Sequence, residues 1–153
     1  MISEININSS QPDAAAGAPI RVLCVDDNPE VADAVRIKID GTPSMQWMGW
    51  LPDATRLEAT VQSFAPHIVL LDIDLPGLSP FDVMERFQES DSATRVIMFT
   101  GLARRELIDR AVEAGAWGYV CKNDGADALI DAILKVAAGE FALSPEARAV
   151  YLL

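Results

Sequence analysis

The chain has 153 residues, with 12 lysines and arginines against 23 aspartates and glutamates, so its formal net charge at pH 7 is −11. Half of the residues are hydrophobic, which is typical of a folded domain and excludes wholesale disorder. A charge this negative argues against direct binding of DNA or RNA, whose phosphates must be neutralised by Lys and Arg. The length predicts one folded domain.

Local composition argues against membrane insertion and secretion. No stretch approaches the ~18 uninterrupted apolar residues of a membrane helix. The segment 1–19 holds no Lys or Arg and no apolar run, so we expect no secretory signal there. Cys24 and Cys121 each sit inside an apolar run and form no closely spaced pair, which predicts free thiols in a reduced, cytoplasmic protein.

Three segments are predicted along the chain. Residues 1–19, rich in Ser, Asn, Ala, Gly and Pro, predict a flexible leader. From residue 20 to about 139, short apolar runs alternate with amphipathic stretches, which is the pattern of repeated β-α units around a parallel sheet. Residues 140–153 predict a C-terminal tail or the start of a linker, with one short helix from Pro145.

Five strands and five helices are predicted in alternation. The predicted strands are 20–25, 45–50, 68–71, 96–99 and 117–121. The predicted helices begin near residues 28, 53, 79, 104 and 126. Asn28 is predicted to cap the first helix, and Ser79 to open a capping box for the third. Helical spacing predicts that Phe64, Val112 and Leu134 are among the side chains facing the core, and His67 is expected in a surface loop.

Polar side chains follow four of the five predicted strands. Asp26 and Asp27 follow the first, Asp72 the third, Thr100 the fourth and Lys122 the fifth. The carboxyl ends of parallel strands lie at one edge of the sheet, where open α/β sheets bind their ligands. One composite site is therefore predicted.

The predicted site favours a magnesium ion and phosphoryl chemistry. Three neighbouring carboxylates repel one another and need a cation, and all-oxygen ligation with no His or Cys near these strand ends fits Mg²⁺ better than Zn²⁺. A carboxylate beside Mg²⁺ and a lysine is suited to attack a phosphoryl group, and Thr100 can donate a hydrogen bond to the same oxygens. The inferred chemistry is formation and hydrolysis of an aspartyl phosphate.

In combination, four segments resemble the receiver domain of two-component response regulators. They are Val22 to Pro29, Ile68 to Gly77, Val96 to Gly101 and Gly118 to Lys122. The resemblance covers residues 20 to about 139. It implies a flavodoxin-like, doubly wound α/β fold with a five-stranded parallel sheet in the order 2-1-3-4-5 and five helices.

The resemblance also implies roles for the acidic residues. Asp72 would be the phosphoacceptor. Asp27, Asp72 and the backbone carbonyl of Asp74 would coordinate Mg²⁺, with Asp26 assisting through water. Whether the Asp74 side chain faces the site is left open by the sequence. Pro80 stands where the family usually has glycine, so we expect an altered turn there but an intact site.

The remaining implied roles concern transfer and switching. Thr100 and Lys122 would contact the phosphoryl group, and Tyr119 would be the aromatic residue that swings inward on activation. The donor would be a histidine kinase or a phosphotransfer protein, and the chain itself would not be an enzyme beyond its own phosphotransfer and dephosphorylation. A homodimer is left open, and no membrane partner is expected. Residues 126–145 further resemble receivers that precede helix-turn-helix output domains.

Two other functions fit parts of this pattern. Asp72-Ile73-Asp74 after an apolar strand also resembles the nucleophile motif of haloacid-dehalogenase-type phosphatases. In those enzymes the remaining acidic pair follows the lysine, whereas Asp26 and Asp27 precede the nucleophile here, so the motif order favours the receiver. The other alternative is a receiver-like binding module that works without phosphorylation; the presence of Asp27, Asp72 and Lys122 argues against it.

Overall fold

The computed structural model describes residues 17–90 and 92–152, so most of the predicted leader lies outside the described residues. The strands are β1 (Ile20–Val25), β2 (Met45–Leu51), β3 (Ile68–Leu71), β4 (Arg95–Thr100), β5 (Gly118–Cys121) and β6 (Ala142–Leu143). The helices are α1 (Pro29–Asp40), α2 (Leu57–Phe64), α3 (Pro80–Glu89), α4 (Arg105–Glu113), α5 (Ala126–Ala137) and α6 (Pro145–Tyr151).

One parallel sheet organises the domain, in the order β2-β1-β3-β4-β5-β6. The predicted flavodoxin-like class and the order of the first five strands are confirmed. The sheet is larger by one strand than predicted, because β6 pairs with β5 through only two residues. A strand this short carries no hydrophobic alternation that a sequence could show.

The two faces of the sheet carry separate hydrophobic clusters. One cluster lies beneath α2, α3, α4 and α6, and the other lies beneath α1 and α5. All four residues of β3 are buried and apolar, as expected for a central strand covered on both faces. Strand order and helix placement therefore bring the carboxyl ends of β1 and β3 side by side.

Three predicted inward-facing side chains point outward instead. Phe64, Val112 and Leu134 are 60%, 41% and 43% exposed. Val112 and Leu134 each lie one position, about 100° around the helix, beyond a buried residue. Phe64 is the last residue of α2, where the chain turns away at Ala65 with a left-handed backbone. The sequence therefore predicted a wider core-facing side for these helices than the structure has.

The two predicted helix caps differ in outcome. The side chain of Asn28 accepts a hydrogen bond from the backbone N–H of Glu30 at 2.9 Å, which confirms the cap of α1. α3 begins at Pro80 as predicted, with Ser79 at the capping position, but the Ser79 side chain makes no capping hydrogen bond. The capping-box prediction was wrong.

His67 is buried, in contrast to the expected surface loop. Its backbone N–H donates to Arg21 O at 3.0 Å, and its Nδ1 accepts from the Arg21 N–H at 2.9 Å. The residue therefore extends the pairing between β1 and β3 by one position. A histidine that directly follows a proline gives no sequence indication of such pairing. Cys24 and Cys121 are both free and buried, as predicted.

Candidate acidic site at the carboxyl edge of the sheet

Three carboxylates converge at the carboxyl ends of β1 and β3. Asp26, Asp27 and Asp72 each offer an oxygen atom within 4.8 Å of the others. Asp26 and Asp72 are buried, whereas Asp27 is exposed. The parallel pairing of Val25 with Leu71 sets the proximity of two of them, because Asp26 directly follows Val25 and Asp72 directly follows Leu71.

Lys122 balances the two buried carboxylates. Its Nζ lies 2.7 Å from Asp26 Oδ2 and 3.0 Å from Asp72 Oδ2. Burial alone would lower the pKa of Lys122, but its hydrogen bonds and charge attraction to Asp26 and Asp72 together raise that pKa above its ordinary value. Lys122 is therefore a stable cation at neutral pH.

The contacts of Asp26 leave one oxygen atom suited to a metal ion. Asp26 Oδ1 accepts a hydrogen bond from the backbone N–H of Asn28 at 2.9 Å. Asp26 Oδ2 is completely buried and, apart from the ion pair with Lys122, has no hydrogen-bond donor among the described residues. An incompletely satisfied buried carboxylate oxygen beside two further carboxylates is a donor set that fits Mg²⁺, a cation that prefers oxygen ligands.

Asp74 contributes to this region through its backbone. Its N–H donates to Asp72 Oδ1 at 3.2 Å, which orients the Asp72 carboxylate. The Asp74 side chain is exposed and does not belong to the group formed by Asp26, Asp27 and Asp72. The extra carboxylate noted in the sequence therefore lies outside the cluster in this structure.

Thr100 and Tyr119 are connected through one loop residue. Thr100 is buried at the end of β4, and its Oγ1 accepts a hydrogen bond from the N–H of Leu102 at 3.3 Å. Tyr119 is also buried, and its hydroxyl donates to the backbone carbonyl of Leu102. The backbone of Leu102 thus connects the side chains of Thr100 and Tyr119.

One contact at the site was missed by sequence reasoning. The indole Nε1–H of Trp50 donates to the backbone carbonyl of Asp26 at 2.6 Å. Trp50 is a residue of the edge strand β2. Its position near the end of β2 was the one available signal, since β2 and β1 are neighbours in the predicted sheet.

The fold and this edge cluster define a doubly wound α/β protein with an acidic site beyond its parallel strands. The family model described as the response regulator receiver domain matches residues 22–134. The chain belongs to the response regulator receiver family, so the predicted family is confirmed and favoured over the phosphatase alternative.

Individual relatives agree with this assignment. The chain is 36% identical over 121 residues to the transcriptional regulatory protein MctR of Rhizobium johnstonii, which covers 78% of this chain and 56% of MctR. It is 27% identical over 126 residues to the nitrate/nitrite response regulator NarL of Escherichia coli K12, which covers 82% of this chain and 58% of NarL. The chain thus spans little more than half the length of these curated relatives.

Solved structures show the same fold. A LuxR-family two-component response regulator from Aurantimonas sp. SI85-9A1 superposes with a TM-score of 0.83 at 30% identity, covering 88% of this chain and 96% of that one. The signal receiver domain of the putative response regulator NarL from Mycobacterium tuberculosis gives a TM-score of 0.76 at 23% identity, covering 80% and 98%. Among the described residues, no helix is long and apolar enough to cross a bilayer.

Proposed function

We propose that this receiver accepts a phosphoryl group on Asp72 and uses the modification as a switch. The observation that supports the proposal most directly is the position of the Asp72 carboxylate, whose Oδ2 lies 3.0 Å from Lys122 Nζ. Asp72 is buried beside two other carboxylates and is oriented by the Asp74 N–H. A carboxylate held in this way can act as a nucleophile, and the positive charge of Lys122 can stabilise the oxygens of the phosphoryl group during transfer.

Mg²⁺ is the proposed cofactor. Asp26, Asp27 and Asp72 would hold it, together with the backbone carbonyl of Asp74. When bound, the ion supplies positive charge that offsets the negative charge of the phosphoryl oxygens. The chain's own part is to keep the buried carboxylates in place, with Lys122 bridging Asp26 and Asp72.

Thr100 is proposed to transmit the modification. A phosphoryl oxygen on Asp72 would attract the Thr100 hydroxyl, whose oxygen now accepts the Leu102 N–H. Movement of Leu102 would shift its backbone carbonyl, which accepts the hydrogen bond from the Tyr119 hydroxyl. α4 follows this loop, so the surface formed by α4, β5 and α5 is the proposed output surface.

The proposed partners follow from the family. The phosphoryl donor would be a histidine kinase or a phosphotransfer protein in the cytoplasm. The relative MctR is named a transcriptional regulatory protein, so we propose a role in a pathway that controls transcription. The net charge of −11 argues against DNA contact by this chain itself. Catalysis is proposed to be limited to its own phosphotransfer and dephosphorylation.

Intact-mass measurement tests the proposal. The chain is incubated with acetyl phosphate and Mg²⁺, and separately with a cognate kinase, and we expect a mass increase of one phosphoryl group that is removed by hydroxylamine. D72N should abolish the adduct. D82N is the matched control, because Asp82 lies exposed in the first turn of α3 and outside the cluster, and it should retain the adduct.

Two outcomes would overturn the proposal. One is the absence of any labile adduct in the parent chain with both donors, which would support a module that works without phosphorylation. The other is an adduct that persists in D72N, which would place the phosphoacceptor elsewhere.

A further inference from the structure

Trp50, a residue of the edge strand β2, contacts the backbone of the acidic cluster. Its indole N–H donates a 2.6 Å hydrogen bond to the backbone carbonyl of Asp26, a member of the acidic cluster. Trp50 is 39% exposed, so hydrophobic burial alone does not account for a large aromatic side chain at this position. The hydrogen bond crosses from β2 to the residue that follows β1.

A β-bulge sets the face on which Trp50 lies. Val22 pairs with Trp47, but the next residue of β1, Leu23, pairs with Gly49, so Met48 is an additional residue in β2. A bulge reverses the alternation of side chains beyond it. Met48 and Leu51 accordingly contact the same core cluster, although they are three positions apart. Without the bulge, Trp50 would have the orientation that Leu51 has now.

Each polar atom of Asp26 has a partner in the structure. Its N–H donates to Leu51 O at 3.0 Å, and its carbonyl accepts from Trp50. Its Oδ1 accepts from the Asn28 N–H, and its Oδ2 pairs with Lys122. β2 supplies two of these contacts from consecutive residues, so the backbone of Asp26 is fixed from the edge of the sheet.

We propose that Trp50 is a positioning residue for cation binding at the acidic cluster. By holding the Asp26 carbonyl, it fixes the backbone from which the Asp26 carboxylate reaches Lys122 and the cluster. It does not touch the cation. This inference rests on the proposed function, in which the cluster of Asp26, Asp27 and Asp72 binds Mg²⁺.

Thermal unfolding at increasing Mg²⁺ concentration tests the role, because a ligand that binds the native state raises the unfolding midpoint according to its affinity. W50F keeps an aromatic ring and removes the N–H donor. We expect its Mg²⁺ dissociation constant to rise about two- to tenfold, as for the loss of one hydrogen bond. The rate of labelling by acetyl phosphate should fall at low Mg²⁺ and return to the parent value at saturating Mg²⁺.

W47F is the matched control. Trp47 lies on the same strand but packs against the cluster beneath α1 and α5. The W47F variant should bind Mg²⁺ with the same dissociation constant as the parent chain. A W50F chain that folds, is labelled normally and binds Mg²⁺ with unchanged affinity would overturn the inference alone. A parent chain that binds Mg²⁺ but acquires no phosphoryl group would overturn the proposed function alone.

A second measurement covers the case in which W50F fails to fold. In a chain carrying W47F and W117F, Trp50 is the single tryptophan, and its emission should change on addition of Mg²⁺ with the same dissociation constant that the thermal data give. D27N should abolish or strongly weaken this response. Emission that stays constant while the unfolding midpoint rises with Mg²⁺ would show that Trp50 is not coupled to the cluster.

Discussion

Lys122 Nζ lies 3.0 Å from Asp72 Oδ2, and this ion pair crosses two strand positions in the sheet, from the end of β5 to the end of β3. Lys122 reaches Asp26 from the same place at 2.7 Å. In the absence of a metal ion, this one side chain offsets the charge of both buried carboxylates. The charge balance of the buried carboxylates and the proposed chemistry of the site therefore involve the same residue.

The first prediction concerns K122M in the absence of Mg²⁺. We expect a loss of about 1–3 kcal/mol in the free energy of unfolding, because both carboxylates lose their cation while water reaches part of the site. Added Mg²⁺ should restore part of it. Chemical denaturation at pH 7 measures both effects. The control is K38M, which breaks a 2.8 Å ion pair with the exposed Asp127 and should cost less than about 1 kcal/mol. Equal losses would contradict the prediction.

Alkaline pH should remove the contribution of Lys122. Because its pKa is raised in the folded state, the stabilisation is fully present below the ordinary lysine value of about 10.4 and is lost as pH rises through the folded-state pKa. The difference in unfolding free energy between the parent and K122M should therefore be constant from pH 7 to 9 and shrink above about pH 10.4. A difference that grows with pH would have the wrong sign.

Both cysteines are expected to resist alkylation in the native protein. Burial, and then the charge of Asp26, raise the pKa of Cys24 to about 12, and burial raises the pKa of Cys121 to about 11. Little reactive thiolate is present at pH 8, and both sulfurs are inaccessible. Iodoacetamide labelling followed by mass measurement should show no label in the native chain and two labels in denaturant. Rapid native labelling of either cysteine would contradict the structure.

The C-terminal segment should contribute measurably to stability. Ser144 is buried, its Oγ accepts the Cys121 N–H at 2.9 Å, and its own N–H donates to Tyr119 O at 3.1 Å. S144A leaves a buried N–H without its acceptor, which should cost about 1–3 kcal/mol in urea denaturation. The control S90A removes a hydroxyl at an exposed position and should cost less than about 0.5 kcal/mol. A neutral S144A would mean that this segment is not docked.

Tyr119 should affect the switch more than the stability. Y119F removes only the hydrogen bond to the Leu102 carbonyl, so we expect a loss of about 0.5–1.5 kcal/mol in unfolding free energy. If that bond carries the signal, NMR shift changes at α4 amides on addition of acetyl phosphate and Mg²⁺ should be much smaller in Y119F, although Asp72 is still labelled. Parent-like shifts in a fully labelled Y119F would rule out this route.

The positions of site residues could be predicted from the sequence where they follow from the order of the strands. Asp26, Asp72 and Lys122 could be brought together because parallel strands end at one edge, and the structure places them in direct contact. The face on which Trp50 lies could not be predicted, because one additional residue at Met48 reverses the alternation of side chains in β2. His67 and β6 were missed for a related reason, since pairing that extends one or two residues has no periodicity.

Both edge strands of the sheet have features that limit pairing with another chain. An edge strand exposes unpaired N–H and C=O groups that can recruit another chain, and short or bulged edges limit this recruitment. Here one edge is the bulged β2, and the other is β6, with two residues. β6 covers β5, whose four residues are all buried. A chain truncated before Ala142 would leave the buried strand β5 as an uncovered edge, and we expect it to aggregate more readily than the longer chain.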